Sequence, residues 1–136
     1  MLARIELDTG ALTWTNAAHP LPLLIRQGQV IRELACPPTP PWGVSGRPPT
    51  VATEYLEPGD CLLVYTDGVT EARTSAGHFF GIERLIDITN RYASDLLKPE
   101  AILRQIITSV REHHGFEDLA DDATAVVVRW DGSGQS

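Results

Sequence analysis

Two places in this chain set carboxylates at the ends of strand-like apolar runs. The first is Gly59-Asp60-Cys61-Leu62-Leu63-Val64-Tyr65-Thr66-Asp67-Gly68, where an apolar stretch runs into Asp67 and then at once into Gly68. The second is Asp121-Asp122, directly before the apolar run from Ala123 to Trp130. Charge at the tip of a buried strand costs free energy unless something compensates it, and a bound cation is one such compensation. Carboxylate oxygens are hard ligands that suit Mg²⁺ or Mn²⁺ rather than zinc. Asp67 ends its strand and Asp121 begins its own, so antiparallel, adjacent strands would bring both to one edge of a sheet. Clustered carboxylates that hold two such ions about 3.5–4 Å apart are a known device for hydrolysing phosphate esters. The competing reading, of equal weight on local sequence alone, is that both groups cap turns at strand ends.

The rest of the chain must position those groups, and its composition limits what else it could do. It has 136 residues, enough for one domain with a core. Hydrophobic residues make up 43% and charged residues 21%, the balance of a globular protein. Eleven Lys and Arg against eighteen Asp and Glu give a net charge of −7, which argues against a nucleic-acid surface. No stretch reaches the ~20 apolar residues of a membrane helix. Glu6 and Asp8 interrupt any leader pattern, so the expected location is cytoplasmic. The two cysteines, Cys36 and Cys61, do not form a disulfide framework. At the spacing where thiol phosphatases carry arginine, Cys36 leads to Trp42 and Cys61 to Asp67, so that chemistry has no support.

Alternation predicts the elements. Ala3, Ile5 and Leu7 alternate with Arg4, Glu6 and Asp8, and Asp8-Thr9-Gly10 turns the chain into a return strand through Leu12 and Trp14. Leu21–Arg26 and Val30–Leu34 read as strands about a turn at Gln27-Gly28-Gln29. Residues 37–49 carry Pro37, Pro38, Pro40, Pro41, Pro48 and Pro49 and read as a loop over the sheet. Thr50–Leu56 is a further strand, and Cys61–Thr66, apolar without alternation, suits a strand buried on both faces. Gly81–Asp95 is helical. A second helix starts at Pro99, carries Ile102, Leu103, Ile106, Ile107 and Val110 on one stripe, and ends at His113-His114-Gly115. Ala123–Trp130 is the last strand. Residues 1–130 form the domain and 131–136 a flexible tail.

Several motifs come in order: Leu12-Thr13-Trp14-Thr15-Asn16-Ala17-Ala18-His19-Pro20, Leu56-Glu57-Pro58-Gly59-Asp60, Tyr65-Thr66-Asp67-Gly68-Val69-Thr70-Glu71-Ala72, Phe80-Gly81-Ile82-Glu83-Arg84-Leu85 and Asp121-Asp122-Ala123-Thr124. In this series the chain resembles the C-terminal part of a SpoIIE-type phosphatase domain, one of the PP2C-like (PPM) metal-dependent protein serine/threonine phosphatases. The resemblance implies an α+β layered sandwich of two antiparallel sheets flanked by helices, incomplete at its N-terminal side. It implies a two-metal Mn²⁺ or Mg²⁺ site with Asp67 and Asp121 as ligands, and Asp122 and Gly68 as auxiliary residues. It implies phosphoserine or phosphothreonine protein substrates, an anti-sigma-factor antagonist among the candidates. The attacking group would be a metal-activated water, with no covalent phospho-enzyme.

Family motifs that supply further metal-holding aspartates, Gly-Asp-x-x-Asp and Asp-x-x-Gly-His-Gly, do not occur in the chain, and Ala18 stands where the family carries glycine. The expectation is therefore a C-terminal portion with little activity of its own. The alternative is a non-catalytic module that binds a phosphoprotein or an anti-sigma-type partner. Open sheet edges would favour a homodimer. His19 reads as a turn residue, His113 and His114 as a solvated helix end, Glu71 as solvated, Trp14 and Trp42 as packing residues, and Gly43 as a turn.

Overall fold

The computed structural model describes residues 1–37, 43–44, 46–93, 98–115 and 122–134. The chain runs β1 (Leu2–Ile5), β2 (Ala11–Thr15), β3 (Leu23–Arg26), β4 (Gln29–Glu33), β5 (Ala52–Tyr55), β6 (Cys61–Tyr65), α1 (Asp67–Thr70), α2 (Ile82–Tyr92), α3 (Pro99–His114) and β7 (Ala125–Arg129). The strands form two antiparallel sheets, one in the order β1-β2-β5 and the other β4-β3-β6-β7.

Burial follows directly from the sequence pattern. Strand side chains alternate between faces. On β3 and β6 both faces are apolar, so the four-stranded sheet is the middle layer. Leu23, Ile25, Cys61, Leu63 and Tyr65 face Val69 of α1, Leu85 and Ile88 of α2, and Ile102, Ile106 and Val110 of α3. Leu24 and Leu62 face the other way, into a second core with Leu12, Trp14, Leu34, Leu56 and Trp130. The helical stripe read over Ile102, Ile106 and Val110 is the buried one, while Ile107 is exposed.

Strand ends differ from the sequence reading for identifiable reasons. The third strand begins at Leu23 rather than Leu21 because Pro22 has no N–H to give the ladder; its carbonyl instead accepts from the Leu34 N–H at 2.7 Å. The Gln27-Gly28 turn has φ of 50° and 74°, a two-residue hairpin of the primed kind. Trp130 lies beyond β7, yet it is buried and its indole N–H donates to the Leu7 carbonyl at 3.2 Å. That ring explains Gly10: a Cβ there would sit 2.6 Å from it and 2.8 Å from the Leu56 carbonyl oxygen, and φ is +73°. The first predicted helix starts at Ile82 and runs to Tyr92; its expected end at Asp95 lies outside the described residues, as does Trp42. Of the expected tail, Asp131 pairs with Arg129 at 2.7 Å. β7 alternates more than its sequence promises: Ala125 and Val127 pack on the helix-side core, while Val126 and Val128 lie on the other face and are exposed.

Burial, aided by Glu33, pushes the Tyr65 phenol from its ordinary 10 to about 12. The folded state therefore holds the neutral phenol after the unfolded chain has ionised. The contribution is fully present below pH 10 and is lost as pH rises through about 12. Urea midpoints measured across that window should fall for the native chain and fall less for Tyr65→Phe.

Candidate functional site

Asp67 sits where β6 gives way to α1. The ladder between β6 and β7 ends at the pair Tyr65 and Ala125. Beyond it the two strands are fastened through Thr66 and Thr124. The Thr66 N–H donates to the Thr124 carbonyl at 2.9 Å, and the Thr124 N–H donates to the Thr66 hydroxyl oxygen at 3.0 Å. Asp67 then opens α1 as an exposed residue, and its backbone carbonyl accepts from the Glu71 N–H at 2.8 Å. No periodicity could announce a helix of four residues, which is why the sequence shows only a strand end here.

Gly68 settles how close the two segments come. A Cβ built on it would lie 2.1 Å from the Asp122 carbonyl oxygen, 2.8 Å from the Asp122 carbonyl carbon and 3.2 Å from the Ala123 Cα. The start of α1 is thus pressed directly on the backbone leading into β7. The antiparallel, adjacent arrangement expected of the two strands is present, and it sets exposed Asp67 and exposed Asp122 on neighbouring segments. Asp121, the other expected ligand, lies outside the described residues.

Among the described residues no hydrogen bond or ion pair engages the Asp67 carboxylate, and no three His, Cys, Asp or Glu side chains gather where they could hold a metal ion. The donor chemistry fits a hard divalent cation, because Asp67 offers an exposed carboxylate with oxygen available.

The other residues weighed in the sequence fall into place around this edge. His19 is a turn residue: its N–H donates to the Asn16 side-chain oxygen at 3.0 Å and its carbonyl accepts from the Asn16 amide at 2.8 Å. That turn carries Ala18 at φ 60°, the left-handed conformation expected to trouble a residue with a Cβ. Glu71 is exposed, as its solvated reading expected, and Arg73 lies over the Phe79 ring at 4.4 Å. His113 and His114 do not form the solvated helix end expected of them. Ring nitrogens of both contact backbone carbonyls of the loop between α1 and α2.

The group that sequence reasoning passed over is Asp60, the last residue of the Leu56–Asp60 motif. It is 2% exposed, and its carboxylate takes Arg26 Nε at 3.0 Å, Arg26 Nη2 at 2.7 Å and the Glu57 N–H at 2.8 Å. The hydrogen bond to Asp60 is the main cause that raises the Arg26 pKa above its ordinary value. The pair sits at the opposite end of β6 from Asp67. It belongs to the scaffold, and nothing local to either residue announces the other.

Comparison with known proteins gives this architecture a family. The chain resembles Protein IcfG of Synechocystis sp., with 28% identity over 117 residues, 85% of this chain and 18% of that protein. Its fold matches the phosphatase domain of SpoIIE from Bacillus subtilis (TM-score 0.75, 19% identity, 99% of this chain and 57% of that one). It also matches the RsbU and RsbW domains of a Mycobacterium tuberculosis protein (0.73, 24%, 96% and 36%) and the SiaA-PP2C domain of Pseudomonas aeruginosa (0.70, 21%, 90% and 48%). The chain spans between about a third and three fifths of these solved chains. The two-sheet α+β architecture is therefore PP2C-like. The family model described as stage II sporulation protein E (SpoIIE) matches residues 1–131, and the chain belongs to that family.

Proposed function

We propose that this chain is the C-terminal portion of a metal-dependent protein serine/threonine phosphatase domain, and that it contributes one wall of a two-metal site. The observation that carries this reading is the Thr66–Thr124 fastening with Gly68 seated on the Asp122 carbonyl, which brings the end of β6 and the segment before β7 to one edge. Asp67 and Asp121 would be the ligands and Asp122 an auxiliary carboxylate. Mn²⁺ or Mg²⁺, when bound, supplies Lewis acidity to water and to the phosphate oxygens. The chain's own part is to aim Asp67 from a turn whose backbone is locked on both sides. The substrate class is a phosphoserine or phosphothreonine protein, an anti-sigma-factor antagonist among the candidates. No helix among the described residues is long and apolar enough to cross a membrane.

Two buried polar atoms support a partial domain. The Trp14 indole N–H and the Thr15 hydroxyl have no hydrogen-bond partner among the described residues. They belong to the three-stranded sheet, beside a cavity lined by Leu2, Arg4, Thr13 and Val51. The absence of the Gly-Asp-x-x-Asp and Asp-x-x-Gly-His-Gly motifs from the sequence favours a second reading, a non-catalytic module that holds a phosphoprotein or anti-sigma-type partner. One experiment separates the two. The pure chain is expected to turn over a phosphoprotein at background rate with Mn²⁺ present and to bind Mn²⁺ weakly. Asp67→Asn is expected to weaken that binding by more than the roughly 10–100-fold that loss of an outer-shell partner costs. Mn²⁺-dependent turnover by the pure chain, abolished in Asp67→Asn, would show a complete site instead. Mn²⁺ binding unchanged by Asp67→Asn would remove Asp67 from the site.

The outer side of β7 carries no neighbouring strand among the described residues, which leaves a backbone edge there, and Val126 and Val128 are exposed on one face of the same strand. A homodimer through this edge is proposed on that exposure. Light scattering over a wide concentration range tests it, and a constant monomer mass would count against it.

A further inference from the structure

The chain carries a net charge of −7, so most of its arginines find an acid. Arg4, Arg26, Arg32, Arg91 and Arg129 are each ion-paired to a carboxylate. Arg73, in the loop between α1 and α2, has no such pair among the described residues. It is nevertheless held in place. Its backbone forms an antiparallel bridge with Phe79, and its guanidinium lies 4.4 Å from the centre of the Phe79 ring. Its carbonyl accepts from His114 Nδ1, at the C-terminal end of α3, at 2.7 Å.

The loop around Arg73 is bonded to itself and to both its neighbours. The Thr74 N–H donates to the His78 carbonyl at 3.0 Å, and the Phe80 N–H to the Ala72 carbonyl at 2.7 Å. The Gly81 N–H donates to the Thr70 carbonyl at 2.8 Å, which ties the loop to α1 and so to the turn that carries Asp67. His113 of α3 spends both ring nitrogens on the same frame: Nε2 on the His78 carbonyl at 2.9 Å and Nδ1 on Arg84 Nη1 at 2.8 Å. A guanidinium fixed in this way is oriented before any ligand arrives, which lowers the ordering cost of binding.

Arg73, Thr74 and Ser75 form one side of a cavity of about 510 Å³, and His113, His114 and Gly115 form the other. Its free polar groups are donors. The guanidinium can only donate. The Thr74 hydroxyl oxygen accepts from the His78 N–H at 3.1 Å, which leaves its O–H to point elsewhere. The Ser75 hydroxyl is exposed and has no partner among the described residues. Among the described residues no carboxylate lines the cavity. A positive charge with two hydroxyl donors beside it calls for an oxyanion. A carboxylate offers two oxygens in one plane, which the guanidinium fork alone would satisfy. A phosphoryl group offers three, enough for the guanidinium and both hydroxyls.

We propose that Arg73, Thr74 and Ser75 bind a phosphoryl group, that of a phosphoserine or phosphothreonine on a partner protein, in the loop that follows the Asp67 turn. Its use as a docking point for a phosphatase substrate rests on the phosphatase reading; the binding itself does not. A ¹H–¹⁵N NMR titration of the whole chain with inorganic phosphate tests it, in EDTA so that no metal ion takes part. Saturable shifts are expected at the Arg73, Thr74 and Ser75 amides. Arg73→Gln should weaken phosphate binding by about tenfold or more, the size of a lost hydrogen bond between charged partners. Ser75→Ala should weaken it by less. Arg91→Gln removes the same charge from α2 and should leave binding unchanged. No saturable shift, shifts confined to other segments, or equal losses in Arg73→Gln and Arg91→Gln would overturn the proposal. Acetate bound as tightly as phosphate would make this a carboxylate site and overturn the phosphoryl assignment. Should Arg73→Gln not fold, the shift map of the native chain decides. Phosphate held here by a chain without Mn²⁺-dependent turnover would leave the site standing while the phosphatase reading fell. Turnover with no phosphate shifts at these amides would do the reverse.

Discussion

Gly68→Ala is expected to destabilise the chain at or above the upper end of the roughly 1–3 kcal/mol of ordinary overpacking. The added methyl would begin 2.1 Å from the Asp122 carbonyl oxygen and 2.8 Å from its carbon. Both are backbone atoms, so no rotamer change relieves the contact, and the Thr66–Thr124 bonds hold the two segments where they are. Intrinsic helix propensity predicts the opposite sign, since alanine is favoured over glycine in a helix by about 1 kcal/mol. Chemical denaturation of the variant beside the native chain decides between them. A Gly68→Ala chain of equal or greater stability would mean that α1 does not rest on the Asp122 backbone, and the assembly of the candidate site would need to be redrawn.

The second large effect is expected at the other end of β6. Asp60→Ala removes an almost fully buried carboxylate and strands the groups it serves, the Arg26 guanidinium and the Glu57 N–H. Breaking a buried ion pair by deleting one partner costs about 3–5 kcal/mol. Arg26 keeps some solvent contact and a second partner in Glu57 at 3.0 Å, which places this case at the lower end, about 3 kcal/mol. The pair should show in a double-mutant cycle with Arg26→Met: the two losses should fall short of additivity by about 0.5–3 kcal/mol. Additive losses would mean that Asp60 acts through the Glu57–Asp60 turn alone and that the ion pair contributes nothing.

These two positions show how far the sequence could be read. The strand character of residues 61–65 was legible because two buried faces leave an unbroken apolar run, and the structure buries Leu63 and Leu62 in two different cores. The long helix was legible because Pro99, the apolar stripe and Gly115 mark its start, face and end. The turn at Asn16–Pro20 was legible, and Ala18 stands in the left-handed conformation that the glycine carried there by the family implied. What escaped was contact between distant segments. Arg26 and Asp60 are 34 residues apart, Thr66 and Thr124 are 58 apart, and His113 meets Arg84 and the His78 carbonyl across 29 and 35. The two histidines looked solvated because helical spacing shows which way a side chain points but not what lies there.

The sequence by itself determined most of the strands and the long helix, the place of Asp67 at the end of its strand, and the family to which the motifs belong with the layered fold that family implies, because alternation, capping and short motifs are local properties. Only the tertiary structure decided that Asp67 stands on a turn pressed against the Asp122 backbone, that Asp60 is a buried anchor, and that His113 fastens the loop beside the site. Each of those depends on where two remote stretches of backbone come to rest. That is set by packing of the whole core, which no window of residues contains.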